Sequence, residues 1–164
     1  MISAPPFFRS LCILVFSLLW LNSPVFATDK VLDVTQAGHE AVSLTEYFSV
    51  LEDPQATLTL TDVTQPEWAA RFKSGQKPGH ALGFSYTRSA IWLRLNLKNP
   101  SAQPVEHVLE ITYALLGQAD FYQPKTRGQH AIQAGYTRTL SEQAHPSRFI
   151  AVPIVLAPGT EEPL

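Results

Sequence analysis

The sequence predicts an all-β fold, an antiparallel β-sandwich with one short helix. The first observation is that six short segments of strand-like composition follow one another after residue 79, with turn residues between them. The second is the strict alternation of AIWLRLNLKN, Ala90 to Asn99, which sends leucines to one side of a strand and polar residues to the other. The third is that no regular exchange of strands with long helices suggests a parallel α/β fold.

The candidate strands are bounded by turn groups such as NPSAQP, PKTRGQ and APG. They are His80 to Tyr86, Ala90 to Lys98, Val105 to Leu116, Ala119 to Gln123, Ala131 to Tyr136 and Phe149 to Leu156. Strands of this length and spacing are typical of two packed antiparallel sheets. We therefore expect Leu93 and Leu95 to face a core between two layers.

The first half of the chain predicts less regular structure. Three segments have the composition of strands or extended chain: Val31 to Thr35, Leu44 to Glu52 and Thr57 to Leu60. Val63 to Phe72 predicts the one short helix, with Thr61-Asp62 as its cap.

The first 27 residues have the features of a secretory signal peptide. Arg9 precedes an apolar run from Leu11 to Leu21, and Pro24 stands just before the small residues that precede a cleavage point after Ala27. A run of 11 residues is too short to cross a bilayer core of about 30 Å as a helix, although an uncleaved anchor is the alternative. We predict a signal peptide over 1–27, an extended segment over 28–41 and a sandwich domain over 42–164.

The predicted mature part contains no cysteine, so it must be stabilised by a core of its own and not by disulfides. Without Arg9, 11 of the 12 basic residues remain against 14 acidic ones, a balance that argues against nucleic acid as a partner. Export without disulfides favours the periplasm or surface of a bacterium.

The C-terminal residues TEEPL begin a new segment after the turn at Pro158-Gly159. A sandwich without its last strand would leave a sheet edge unpaired. We therefore expect the chain to be a fragment that stops before the last strand of its domain, the alternative being a frayed tail on a complete domain.

The sequence contains no catalytic motif. The five histidines never fall at the spacing that places two metal ligands on one face of a helix. No Gly-x-Ser-x-Gly motif is present, and no glycine-rich loop precedes a helix. We expect a protein that is not an enzyme and that has no metal site and no cofactor.

The polar side of the strand from Ala90 suggests a ligand site, because a solvated sheet face would ordinarily carry neither Trp92 nor Arg94. If neighbouring strands join the same sheet, an aromatic and charged surface forms from Trp92, Arg94, Glu110, Thr112, Asp120 and Tyr122. Such a surface can stack on a sugar ring and hydrogen-bond its hydroxyls. The alternative is structural: Trp92 is covered by the N-terminal strand or by the helix, and Arg94 pairs with Glu110 across strands.

Four segments, in this order, carry a resemblance to a known family. They are LEDPQATLTLTDV (Leu51 to Val63), LGFSYTRSAIWLRLNLKNPS (Leu82 to Ser101), VLEITYALLGQADFYQP (Val108 to Pro124) and RFIAVPIVLAPGTEEPL (Arg148 to Leu164). Over roughly Val42 to Leu164 the chain resembles the type-2 extracellular domain of bacterial seven-transmembrane receptors with diverse intracellular signalling modules, the 7TMR-DISM group.

The resemblance implies a periplasmic, jelly-roll-like β-sandwich similar to carbohydrate-binding modules. It also implies that seven membrane helices and a cytoplasmic output, such as a diguanylate cyclase or a histidine kinase, follow in the parent protein. We expect a sensor domain for a small molecule or carbohydrate, exported to the periplasm, with the parent protein in the inner membrane. Trp92, Arg94, Glu110 and Asp120 match motif positions of the family. A carbohydrate-binding module of a secreted hydrolase and a structural β domain for protein contact are the alternatives.

Overall fold

The computed structural model describes residues 29–38, 40–84, 86–113, 115–123, 132–137 and 147–164, and the predicted signal peptide lies outside them. Within these ranges the fold is all-β, as the sequence predicts. The strands are β1 (Val31–Asp33), β2 (Phe48–Asp53), β3 (Ala90–Asn99), β4 (Val105–Ile111), β5 (Ala119–Phe121), β6 (Ile132–Ala134), β7 (Ile150–Leu156) and β8 (Thr160–Pro163). The helices are α1 (Leu60–Thr64) and α2 (Pro66–Ala69), with short 3-10 helices at Val34–Gln36 and Thr45–Tyr47.

The larger sheet is built around β3. β2 runs antiparallel to its first half, with Leu51 opposite Trp92, and β1 runs parallel to its second half. β8 is antiparallel to the same second half, so that Leu97 pairs with residues of both β1 and β8. These two strands therefore lie on opposite sides of β3. The sequence predicted that TEEPL begins a new element, and its first four residues form the paired strand β8.

The second sheet pairs β4 with β7 in antiparallel register, and β5 and β6 form a small antiparallel pair of their own. The two main sheets pack against each other because each contributes one apolar face. The shared core consists of Leu32, Val34, Leu95 and Leu97 from the larger sheet or its adjoining turn and Leu109, Ile154 and Leu156 from the second sheet. Leu95 is only 1% exposed, which confirms that the leucine side of β3 points inward.

A buried asparagine ties the two sheets together where β3 passes into β4. The Asn99 side chain is fully buried, and its Nδ2 donates to the backbone oxygens of Gln103, Leu156 and Ala157 at 2.9, 3.1 and 3.1 Å. Its Oδ1 accepts from the backbone N–H of Ser101 at 3.0 Å. Every hydrogen-bonding atom of this side chain is therefore used, which a buried amide requires. We call the end of the sandwich at which Asn99 makes these contacts the closed end.

The predicted single helix over Val63 to Phe72 is wrong in its bounds. The structure has two short helices that are separated at Gln65, which is extended (φ −67°, ψ 146°) because the residue before a proline avoids the helical region. The cap is Thr59, which with Asp62 forms a capping box. The predicted strand over Thr57 to Leu60 is therefore replaced by a helix start.

The predicted strand at His80 to Tyr86 is also wrong: its described residues, 80–84 and 86, form no strand. Phe84 and Tyr86 are exposed, so this segment has no apolar face against the core to hold it in a sheet. The strands predicted over Val105 to Leu116 and Ala119 to Gln123 begin as expected but end early, at Ile111 and Phe121.

Candidate ligand-binding surface

The structure brings Trp92 of β3 and Tyr122, which directly follows β5, into contact. Their ring centroids are 6.0 Å apart and the ring planes meet at 24°, a stacked arrangement. Both side chains are half-buried. This aromatic pair joins two segments that the sequence analysis expected on one face.

A hydrogen-bond donor and a hydrogen-bond acceptor accompany this pair: the hydroxyl of Tyr122 itself and the carboxylate of Asp120. Burial raises the pKa of the Tyr122 hydroxyl above its ordinary value of 10, and the negative charge of Asp120 raises it further. The hydroxyl is therefore a neutral hydrogen-bond donor at neutral pH. The Asp120 side chain is exposed, and Nε2 of Gln118 donates to its two carboxylate oxygens at 3.2 and 3.1 Å. An exposed acceptor, the Asp120 carboxylate, therefore stands two residues along the chain from the Tyr122 donor.

Arg94 lies two residues along β3 from Trp92 and is held by other groups. Its Nη2 donates to Oδ2 of Asp29 at 2.6 Å, and its guanidinium carbon lies 4.3 Å from the centre of the Phe72 ring. Its Nη1 contacts the backbone oxygen of Ala69 at 3.4 Å. The carboxylate that pairs with Arg94 is that of Asp29 and not that of Glu110, because Glu110 belongs to the other sheet.

Asp29 is the centre of a polar network on the outer face of β3. Its carboxylate accepts hydrogen bonds from the hydroxyls of Ser49 (2.5 Å) and Ser74 and from the guanidinium of Arg94, with Nδ2 of Asn96 at 3.5 Å. Burial by itself would raise the pKa of the Asp29 carboxyl, but the serine hydrogen bonds and the charge of Arg94 outweigh it and hold this pKa below 3.8. The network fastens the segment before β1 to the sheet.

Glu110 is placed apart from the aromatic pair. It lies opposite Ala151 in the ladder of β4 and β7 and is exposed. Because its neighbour Leu109 points into the core, Glu110 points away from it, on the outer face of the second sheet. Thr112, just after β4, is exposed as well. The structure therefore unites Trp92, Tyr122 and Asp120 but not Glu110.

The contacts of Arg94 with Asp29 and Phe72 were not predicted from the sequence. Phe72 was placed in a helix, and Asp29 was assigned only to an extended segment. Asp29 and Arg94 are 65 positions apart, and no pattern in either segment links them. Only the path of the folded chain could reveal this contact.

A small cleft lies between β8 and the core. It is lined by Leu97, Gln123, Ile154, Leu156, Glu162, Pro163 and Leu164, and the space open to the centre of a water molecule is about 10 Å³. That is room for about one water molecule. This cleft is therefore too small for a ligand of the size of a sugar.

Across the part of the chain that the structure describes, no three His, Cys, Asp or Glu side chains lie close enough together to hold a metal ion. In the same residues, no helix has the length and apolar character that crossing a bilayer requires.

Comparison with known proteins gives one match. The family model for the 7TMR-DISM extracellular 2 domain matches residues 45–164, which confirms the resemblance and covers more than half of the chain. The search of curated proteins and that of solved structures each find no match. The matched region contains both Trp92 and Tyr122, and the family is that of an extracellular domain of membrane receptors. The chain therefore belongs to the 7TMR-DISM extracellular 2 family.

Proposed function

We propose that this domain senses a ligand for a bacterial membrane signalling receptor, and that it binds a small molecule or carbohydrate on the surface of Trp92 and Tyr122. Family membership supports a position outside the cytoplasm in a protein with transmembrane and cytoplasmic parts. We further propose that residues 1–27 direct export to the periplasm and that the domain itself is not an enzyme and needs no cofactor.

The observation that carries the ligand proposal is the stacked pair itself. Aromatic rings offer an apolar surface for the C–H face of a sugar, and the polar groups beside them select the positions of hydroxyls. Here the Tyr122 hydroxyl is a neutral donor and the exposed Asp120 carboxylate is an acceptor.

The proposed mechanism is a shift of population. The domain and its attached membrane helices exist in at least two arrangements, and a ligand that binds one of them better increases its share. The ligand can change the free-energy difference between the two arrangements by no more than the difference between its binding free energies for them. A diguanylate cyclase or histidine kinase in the parent protein would report it.

The test is a glycan and small-molecule binding screen, followed by titration calorimetry of the ligand found. Tyr122→Leu and Trp92→Phe should weaken binding by about tenfold, because each alters the stacked surface. Tyr113→Leu is the matched control, since Tyr113 is an exposed tyrosine after β4, outside this pair. Equal affinities for all three variants would contradict the proposal.

Folding must be separated from binding in this test. Asp120→Asn removes only the charge of an exposed side chain, so the thermal midpoint should change little while affinity for a hydroxylated ligand falls. If Tyr122→Leu and Trp92→Phe weaken binding only in proportion to lost folded protein, and Asp120→Asn has no effect, these residues are structural.

A further inference from the structure

The most exposed apolar side chains of the described residues lie at one end of the sandwich. Tyr86 is 108% exposed relative to its reference state, Leu115 73%, Tyr136 65% and Tyr113 59%. Tyr86 precedes the start of β3, whereas Tyr113 and Leu115 follow the end of β4. Because the chain passes from β3 to β4 at the closed end, these positions lie at the opposite end. We call it the aromatic end, defined by these four residues.

Backbone hydrogen bonds tie together the two loops that carry Tyr113, Leu115 and Tyr136. The N–H of Leu116 donates to the oxygen of Tyr113 at 3.3 Å, and the N–H of Tyr136 donates to the oxygen of Leu116 at 3.0 Å. Gly135 has a φ of 138°, and a Cβ there would lie 2.2 Å from the oxygen of Gly117. The close approach of the two loops therefore requires glycine at position 135. The two loops pack tightly against each other beneath the exposed side chains of Tyr113 and Tyr136.

Two exposed arginines and one exposed glutamate belong to this end: Glu52, near the end of β2, accepts a hydrogen bond from the hydroxyl of Ser89 at 2.7 Å. Arg88 is between Tyr86 and the start of β3. Arg148 lies two residues before β7, at the end of the sheet where Ile111 pairs with Ile150, and its guanidinium carbon lies 4.5 Å from the centre of the Phe149 ring. Tyrosine is enriched where proteins meet the boundary between water and lipid, and arginine is attracted to anionic headgroups there.

We propose that the aromatic end docks on a phospholipid bilayer, with its tyrosine and leucine side chains in the interfacial region and Arg88 and Arg148 against phosphate groups. A bilayer is at hand because the family is that of membrane receptors. Exposed apolar side chains grouped at one end mark an interaction surface. The outer face of the second sheet is unsuited to this role because Glu106 and Glu110 flank its exposed Val108.

The test places an environment-sensitive fluorophore on single cysteines in the predicted mature part, 28–164, which has no cysteine of its own. Leu115→Cys reports on the aromatic end, and Val108→Cys, on the outer face of β4, is the matched control. With vesicles of phosphatidylcholine and phosphatidylglycerol, the label at position 115 should shift its emission to the blue and the label at 108 should not. Both proteins keep the same N-terminal residues, so the difference reports on the labelled position.

Two further variants measure separately what the tyrosine rings and the charge of Arg148 contribute to vesicle binding. Tyr113→Ser combined with Tyr136→Ser should lower vesicle binding about tenfold, because it removes two interfacial rings. Arg148→Glu should lower binding several-fold to vesicles that contain phosphatidylglycerol and change binding to pure phosphatidylcholine much less.

Three results would overturn the proposal. Equal shifts at positions 108 and 115 would indicate general adsorption, and no shift at either would indicate no membrane contact. A blue shift at 115 that needs no vesicles and grows with protein concentration would assign the aromatic end to contact between copies of the chain.

Discussion

The two outer faces of the sandwich differ in what covers them. On the larger sheet, Arg94 is 26% exposed in its side chain and is enclosed by Asp29 and Phe72. On the second sheet, Glu106 and Glu110 are exposed. β3 alternates apolar and polar residues throughout and β4 does so except at His107 and Val108, so both patterns predict a mainly polar outward face. The alternation of apolar and polar residues along a strand therefore identifies the side that points away from the core, but it does not show whether another segment covers that side.

The cover of the larger sheet comes from segments that are distant along the chain. Asp29 lies before β1, and Phe72 follows α2, whose neighbour α1 has its cap at Thr59. We call the outer face of the larger sheet the covered face and that of the second sheet the open face. Substitutions on the covered face should lower the free energy of unfolding, and matching substitutions on the open face should leave it nearly unchanged.

The largest difference is expected for loss of the central carboxylate. Asp29→Ala leaves Arg94, Ser49 and Ser74 without their shared acceptor, and we expect the free energy of unfolding to fall by about 2 kcal/mol. Glu110→Ala is the control and should change it by less than about 0.5 kcal/mol, since Glu110 is exposed. Urea unfolding measures both. Equal losses would remove the distinction between the faces.

A pH dependence should follow from the same carboxylate. Because the folded-state pKa of Asp29 is lowered, its stabilising effect is complete above the unfolded-state pKa of about 4 and is lost as the pH falls through the folded-state pKa. The stability difference between the parent chain and Asp29→Asn should therefore be constant from pH 7 to 5 and shrink below pH 4. Thermal unfolding followed by circular dichroism measures this difference. A difference that stays constant down to pH 3 would contradict the ion pair.

A smaller loss is expected at the capping box. In Thr59→Ala the backbone N–H of Asp62 loses the side-chain oxygen that caps α1, and stability should fall by about 1 kcal/mol. Thr61→Ala is the matched control, because Thr61 is an exposed threonine in the same first turn. Denaturant midpoints measure the two changes, and equal midpoint shifts would show that the cap does not hold the cover in place.

The smallest effect concerns the ring over Arg94. A double-mutant cycle with Phe72→Leu and Arg94→Met should give a coupling of about 0.5 kcal/mol, because the guanidinium lies over the ring. The same cycle for Phe149 and the exposed Arg148, a pair at 4.5 Å, should give less. A larger coupling at Arg148 would reverse the ranking of covered and open sites.

The sequence predicted the long strands better than the short segments. β3, β4 and β7 were found because seven or more alternating or strongly apolar residues leave little choice of face. The segment at His80 to Tyr86 was misassigned because its composition suits a strand, whereas strand formation depends on a partner and a face to bury. In the candidate site, one shared sheet was expected to bring the residues together: Trp92 and Tyr122 do meet, although β5 pairs with β6 and not with β3, and Glu110 lies in the other main sheet.

The order of residues is enough to predict the all-β class, the inward leucines of β3 and membership of the receptor family. These follow from local alternation and from residue order, which are present in the chain before it folds. Three-dimensional packing makes Asp29 the partner of Arg94, sets Glu110 apart, and leaves the exposed tyrosines at one end of the sandwich. Such contacts join residues far apart in sequence, and their geometry depends on how the two sheets and their loops pack.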